Sequence, residues 1–239
     1  MKMNNLELCR KARQLAGEKS LYVMGAFGAP SSAASRARYT KTGANEYNLR
    51  PAVKAAILAS TDGTWFFDCC GVIKGLLWGF NFDKAKTYGG ALYESNGVPD
   101  TNAEGLIARC SGVSTNFADI IPGEMLWKSG HCGIYVGNGQ AVESTPAWSN
   151  CVQLTDVANI CSTGDRPART WTKHGRLPWV SYDTELPFVD VPAGSWYYDA
   201  VAKVYAAGMM KGTDSTHFNP NGTVTRAQLA VVLSKLIGG

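Results

Sequence analysis

Two short stretches carry the residue types needed to open a carbonyl. The first is Phe67-Asp68-Cys69-Cys70-Gly71-Val72-Ile73-Lys74. The second is Ser129-Gly130-His131-Cys132-Gly133-Ile134-Tyr135-Val136-Gly137-Asn138-Gly139, which places His131 62 positions after Cys69. A thiol attacks as its thiolate, a helix N-terminus lowers its pKa, and an imidazole beside it can take and return a proton. Cys69 stands where a loop should turn into an apolar helix, and His131 opens a strand that ends in a tight turn. The pairing predicts a thiol hydrolase. Cys110, Cys132, Cys151 and Cys161 read as packing residues, as buried cysteines commonly are. Two adjacent cysteines fit one tetrahedral ion poorly and no Cys-x-x-Cys pair occurs, so no metal or other cofactor is expected.

The elements around these residues must bring them together. Apolar spacing predicts a helix over 4–17, with Leu6, Cys9, Ala12, Arg13 and Ala16 near one face. An extended segment over 22–27 follows, then a long loop over 30–50 and a short helix over 51–60 opened by Pro51. The helix after the nucleophile runs 68–80, residues 81–102 are loop, and 103–110 are again helical. Strands are expected at 124–128, 131–136 and 140–145. Helices first and sheet later give an α+β fold.

The hairpin register decides whether His131 has a partner. If Gly137-Asn138-Gly139 form a three-residue loop, Val136 faces Gln140, His131 faces Thr145 and Gly133 faces Glu143. His131 and Glu143 are then diagonal neighbours on one face, within side-chain reach. Glu143 becomes the group that orients the imidazole. A two-residue Asn138-Gly139 turn puts the two on opposite faces and leaves Glu143 a solvated strand residue.

Composition narrows the class. Hydrophobic residues at 45% and charged residues at 18% describe an ordinary globular chain. Residues 1–180 hold 19 of the 23 Lys and Arg and 14 of the 19 Asp and Glu, a net +5, while 181–239 carry −1. The surplus is mild and forms no dense basic run, so no nucleic-acid partner is expected. Seven cysteines, an odd number, suggest no disulfide framework. The first residues show no apolar signal core and no stretch is long and apolar enough to span a membrane. The expectation is synthesis in the cytoplasm without a signal peptide, and release by other means if the protein acts outside.

Asp68-Cys69-Cys70-Gly71 resembles the D-C-S-G nucleophile motif of NlpC-like, papain-fold cell-wall cysteine peptidases. Gly130-His131-Cys132-Gly133-Ile134-Tyr135-Val136-Gly137 resembles their G-H-V-G-I-Y-V-G base motif, and Tyr22-Val23-Met24-Gly25 the end of their T-P-Y-x-x-G segment. The resemblance covers residues 1–180, an NlpC/CHAP-like catalytic domain of N-terminal helices packed on an antiparallel sheet. It implies Cys69 as nucleophile, His131 as base and then acid, and Glu143 as orienter. Tyr22 and Asp68 would line the substrate or oxyanion side, with the Cys69 backbone N–H as an oxyanion donor. Cys70 replaces the family's usual Ser, and position in the motif selects Cys69 over it. The third family residue is usually His, Asn or Gln; Glu is more typical of related amidases and phage lysins. The implied substrate is peptidoglycan, cut in the stem peptide or between muramic acid and L-alanine.

Pro178 to Pro192 is proline-rich, and a linker is expected at 181–187. Residues 188–239 then resemble one S-layer homology (SLH) repeat: Phe188-x-Asp190-Val191, Trp196-Tyr197, Gly208-x-x-x-Gly212, Phe218-x-Pro220 and Thr225-Arg226-Ala227-Gln228. This is an all-α helix–loop–helix module, its second helix at 226–237 opened by a Thr225/Gln228 capping box. Such repeats bind secondary wall polysaccharides. Arg226 would pair with a sugar carboxylate, Trp196 would stack or pack, and Asp190, Gly208 and Gly212 would shape the pocket. The family uses three repeats, so a homotrimer through this module is one expectation. The whole reads as an endolysin-like wall hydrolase. Two alternatives stay open: a wall-polysaccharide binder without catalysis, and an acyltransferase using the same triad.

Overall fold

The computed structural model describes residues 2–182, 186–192 and 195–237. Elements are numbered in chain order. The chain opens with β1 (Met3–Asn4), α1 (Asn5–Ala16), β2 (Ser20–Tyr22) and β3 (Phe27–Pro30), then α2 (Ala33–Thr40), α3 (Glu46–Leu49) and α4 (Pro51–Ala59). Next come β4 (Trp65–Phe67), α5 (Cys69–Leu77), α6 (Ala103–Ile107) and β5 (Ser111–Ser114). The strands β6 (Met125–Lys128), β7 (His131–Gly137), β8 (Gln140–Thr145), β9 (Cys151–Val157), β10 (Ala168–Arg169), β11 (Lys173–Arg176) and β12 (Val180–Ser181) follow, and α7 (Tyr198–Ala206) and α8 (Arg226–Ile237) close the described chain.

The architecture is mixed α and β. One seven-stranded sheet runs β10-β9-β8-β7-β6-β11-β5, antiparallel except for the β10–β9 pair. A small sheet, β2-β4-β3, leads into α5. The main core lies between the sheet and the two helices α1 and α5: Leu8, Cys9, Leu15, Ile73, Leu76, Ile134 and Val142 are buried in one cluster. Asn4 caps α1 by accepting the Glu7 N–H at 2.7 Å, and Asp68 caps α5 by accepting that of Gly71.

Gly71 is fixed by close approach. A Cβ there would lie 1.9 Å from the Ala26 carbonyl oxygen, and one at Gly75 would lie 2.5 Å from that of Phe27. Glycines along α5 let this helix lie directly on the backbone of the segment before and within β3.

The hairpin reaches the expected register by a different route. Gly137 pairs with Gln140, so the turn is the two-residue Asn138–Gly139 type, with φ of 55° and 72°. A bulge between Tyr135 and Gly137 then shifts the ladder by one residue, and Ile134 pairs with Val142. Gly137, at φ 86°, supplies the left-handed position such a bulge uses. Arg13 of α1 donates to the Val136 and Gly137 carbonyls at 3.1 and 3.4 Å, satisfying acceptors the bulge releases.

Several expectations are corrected. Residues 30–50 are not a long loop: Ser32 and Ser35 form a capping box that starts α2, and Asn45 caps α3. The strands β9 to β12 were not expected. Of the linker expected at 181–187, residues 183–185 lie outside the described residues; Ser181 pairs with Asn4 and Leu186 is buried. In the tail, α8 runs over the expected 226–237 and carries the expected reciprocal bonds, Thr225 N–H to Gln228 Oε1 at 2.9 Å and Gln228 N–H to Thr225 Oγ1 at 3.2 Å. α7 packs Tyr198, Val201 and Tyr205 into a second cluster with Phe188, Val191 and Leu6 of α1.

Candidate active site

Strand β4 ends at Phe67, Asp68 turns the chain, and Cys69 begins α5. Asp68 is buried and both its oxygens are engaged: Oδ1 accepts the Gly71 N–H at 2.5 Å and Oδ2 that of Gly25 at 2.7 Å. Burial, and then the negative charge of Cys69, raise its pKa to about 6. Its oxygens therefore tie the turn that begins α5 to the loop after Tyr22. Tyr22 is buried on β2, edge-on to Tyr47, and its hydroxyl meets only the Met24 sulfur, at 3.9 Å. Burial pushes the phenol pKa far up, so it stays protonated. Tyr22, Asp68, Cys69, Cys70 and Lys74 share the lining of one cleft of about 510 Å³.

His131 and Glu143 meet: Nε2 and Oε2 are 2.6 Å apart. This bond occupies Nε2 and leaves Nδ1 as the other ring nitrogen. Glu143 is wholly buried, and sequence reasoning missed what holds it. Arg169 donates from Nε to both carboxylate oxygens at 2.7 and 3.0 Å, and Thr155 donates its hydroxyl to Oε1 at 2.7 Å. Burial raises the Glu143 pKa, but the bonds to His131 and Arg169 outweigh it, and the net shift is down. Trp171 stacks parallel on His131 with centroids 5.5 Å apart and fixes the ring plane. Thr155 comes from β9 and Arg169 from β10, so the β8–β9 register places the first and the β9–β10 pairing the second.

The sulfur chemistry also differs from expectation. Cys132 is no mere packing residue: its thiol donates to Cys70 Sγ at 3.6 Å, and Cys70 Sγ lies 3.9 Å from that of Cys69. Its period-two placement with Ile134 and Val136, on the face of β7 against α5, was the available signal. Interactions with the Cys132 and Cys70 sulfurs hold the Cys69 thiol well below the ordinary range, His131 adds to this, and burial opposes it. Interactions with the Cys69 and then the Cys70 sulfur, together with burial, push the pKa of Cys132 well up. That of Cys70 is also raised, since its bond to Cys69 and its burial outweigh the bond from Cys132. For His131, burial lowers the pKa, while interactions with Cys69 and Glu143 outweigh it and leave it raised. The arrangement favours a thiolate at Cys69 facing an imidazolium.

The tail residues occupy separate places. Asp190 accepts the N–H groups of Phe218 and Asn219 at 2.8 and 2.7 Å. Gly208 takes φ 66° just past α7, and a Cβ at Gly212 would lie 2.4 Å from the Phe188 ring. Trp196 is 93% exposed, and Arg226 is exposed at the start of α8. A cleft of about 590 Å³ includes Met209, Gly212, Phe218, Pro220 and Gln228 in its lining; Trp196 and Arg226 lie outside it.

Cys69, His131 and Glu143 thus lie together beside the seven-stranded sheet. Comparison with known proteins adds the following. Residues 187–230 match the family model described as S-layer homology domain. The chain is 41% identical over 49 residues to a surface-layer 125 kDa protein of Lysinibacillus sphaericus, covering 20% of this chain and 4% of that one. It is 36% identical over 58 residues to an endoglucanase of Bacillus sp. (strain KSM-635), covering 24% and 6%. The chain thus spans a small fraction of the length of these relatives. Among solved structures, NlpC2 and NlpC1 of Trichomonas vaginalis align over 72% and 71% of this chain and 46% and 44% of theirs. Their identities are 14% and 15%, with TM-scores of 0.38 and 0.36.

Proposed function

We propose that this chain is a peptidoglycan hydrolase, a papain-like cysteine peptidase or amidase held at the bacterial wall by its SLH module. The observation that carries the catalytic part is the His131–Glu143 bond: a buried carboxylate fixes the ring that favours the Cys69 thiolate. Cys69 Sγ attacks an amide carbonyl and the oxygen takes the negative charge. In this reading the Cys69 backbone N–H, at the helix start, and the protonated Tyr22 hydroxyl donate to that oxygen. Tyr22 gives up only a long sulfur contact to do so. His131 gives its proton to the departing amine, leaving a thioester on Cys69. Water then adds to the thioester, His131 takes its proton, and the acid leaves as the thiolate returns.

The wall reading rests on the match at 187–230. In it, Asp190 and Gly212 hold the loop between α7 and α8, while exposed Trp196 and Arg226 are the surface groups that would meet a secondary polysaccharide. A homotrimer through this module would cover the exposed Leu229, Val231 and Leu233 of α8; a solution mass showing only monomer rejects that assembly.

The test is turbidity loss of Gram-positive walls with wild type and Cys69→Ala, then mass spectrometry of the released fragments. Clearing by wild type alone is expected, and the new termini identify stem-peptide or muramoyl-L-alanine cleavage. Equal clearing by both overturns the thiol mechanism.

A further inference from the structure

We propose that Cys69, Cys70 and Cys132 form a binding site for one thiophilic d10 divalent cation of the zinc–cadmium type, and that filling it switches the nucleophile off. Two sulfur–sulfur distances are 3.6 and 3.9 Å, and all three sulfurs lie within 4.8 Å of one another. A tetrahedral ion with metal–sulfur bonds of about 2.3 Å needs sulfurs about 3.8 Å apart, because a tetrahedron's edge is about 1.6 times its centre-to-vertex length. The three thiols therefore already occupy a face of that tetrahedron to within small rotations.

Against the expectation that adjacent cysteines fit one tetrahedral ion poorly stands a geometric observation. Both stand in the first turn of α5 with their sulfurs in contact, and the third ligand comes from β7. Binding would join two elements that already pack together, so no backbone need move far. Three sulfurs select a soft or borderline cation over magnesium or calcium. Entry is through the cleft lined by Cys69 and Cys70, whose lining also includes Asp68, Glu104 and the Lys74–Asp100 ion pair. The fourth vertex is left to solvent. A Cys69 sulfur held as a metal ligand is not free to attack a carbonyl. The binding site stands whatever Cys69 attacks; only the switching consequence rests on the hydrolase reading.

The test uses the full chain, reduced and stripped with a chelator, titrated with Cd²⁺ while thiolate-to-metal charge-transfer absorbance is followed in the ultraviolet. One cadmium per chain is expected. Cys70→Ser and Cys132→Ala should each weaken binding by more than about 100-fold, beyond the usual effect of an outer-shell change. Blocking Cys69 with iodoacetamide in folded wild type should weaken it comparably, which keeps the test sound if a variant misfolds. Absence of a saturable band, or affinity unchanged in the variants and in the alkylated protein, overturns the site. In wall clearing, one equivalent of Zn²⁺ should stop wild type and a chelator restore it. Binding by cadmium absorbance without loss of clearing overturns the switch alone.

Discussion

Glu143 has no exposed surface, and a carboxylate there stays ionised only because donors surround it. His131, Arg169 and Thr155 are those donors. The anion in turn raises the imidazole pKa, so the active ion pair has two limits. Its acid limit is protonation of Cys69, held low; its alkaline limit is loss of the His131 proton, held high. Glu143→Gln removes the charge that favours imidazolium. The alkaline limb of kcat/KM should move to lower pH, and its maximum should fall by on the order of 10²–10⁴-fold. A profile with the same alkaline limb would show that Glu143 does not face the working imidazole. The same shifts separate the neighbouring thiols. Cys69 is favoured as thiolate while Cys70 and Cys132 are held as thiols. Iodoacetamide at mildly acidic pH should therefore modify Cys69 first, as read by peptide mass. Equal labelling of Cys69 and Cys70 would overturn the assignment of the nucleophile.

At the scale of elements, α5 is aimed by glycine. Gly71→Ala would place a methyl 1.9 Å from the Ala26 oxygen, a backbone atom that Asp68 N–H also uses, at 2.9 Å. The helix start must shift, at a cost of about 1–3 kcal/mol or more. A lower urea midpoint and slower alkylation of Cys69 are expected together; an unchanged midpoint would mean the helix has slack. This placement was legible because Asp68, Cys69 and Gly71 combine a cap, a thiol and a small residue in one turn. The His131–Glu143 meeting was legible for a partly different reason. The three-residue loop gives the right strand register, and the structure reaches it by a two-residue turn plus a bulge that Gly137 permits. Arg169 was not legible, because it enters through β10, a two-residue strand whose pairing with β9 leaves no pattern in the chain. The helices within 30–50 escaped notice because Ser, Ala and Arg read as loop until Ser32 and Ser35 are seen to cap one another.

At the scale of the whole molecule, α1 serves two clusters. Leu8, Cys9, Ala12 and Leu15 face the main core, while Leu6 joins Phe188, Val191, Val201 and Tyr205 of the tail, and the Tyr205 hydroxyl reaches Glu7 Oε2 at 3.5 Å. A module whose own regular elements are α7 and α8 gains from this the apolar surface a unit of its size lacks. Leu6→Asp puts a carboxylate into that second, apolar cluster, at a cost of about 3 kcal/mol or more. The Cys69 site is built from elements that do not use Leu6. Hydrogen exchange should therefore rise in α7 while α5 and β8 keep their protection, and Cys69 alkylation should keep its rate. Wall binding should weaken in the same variant. Equal loss of protection in α5 and α7 would show that the two clusters unfold as one unit. In that case the tail stabilises the site as well.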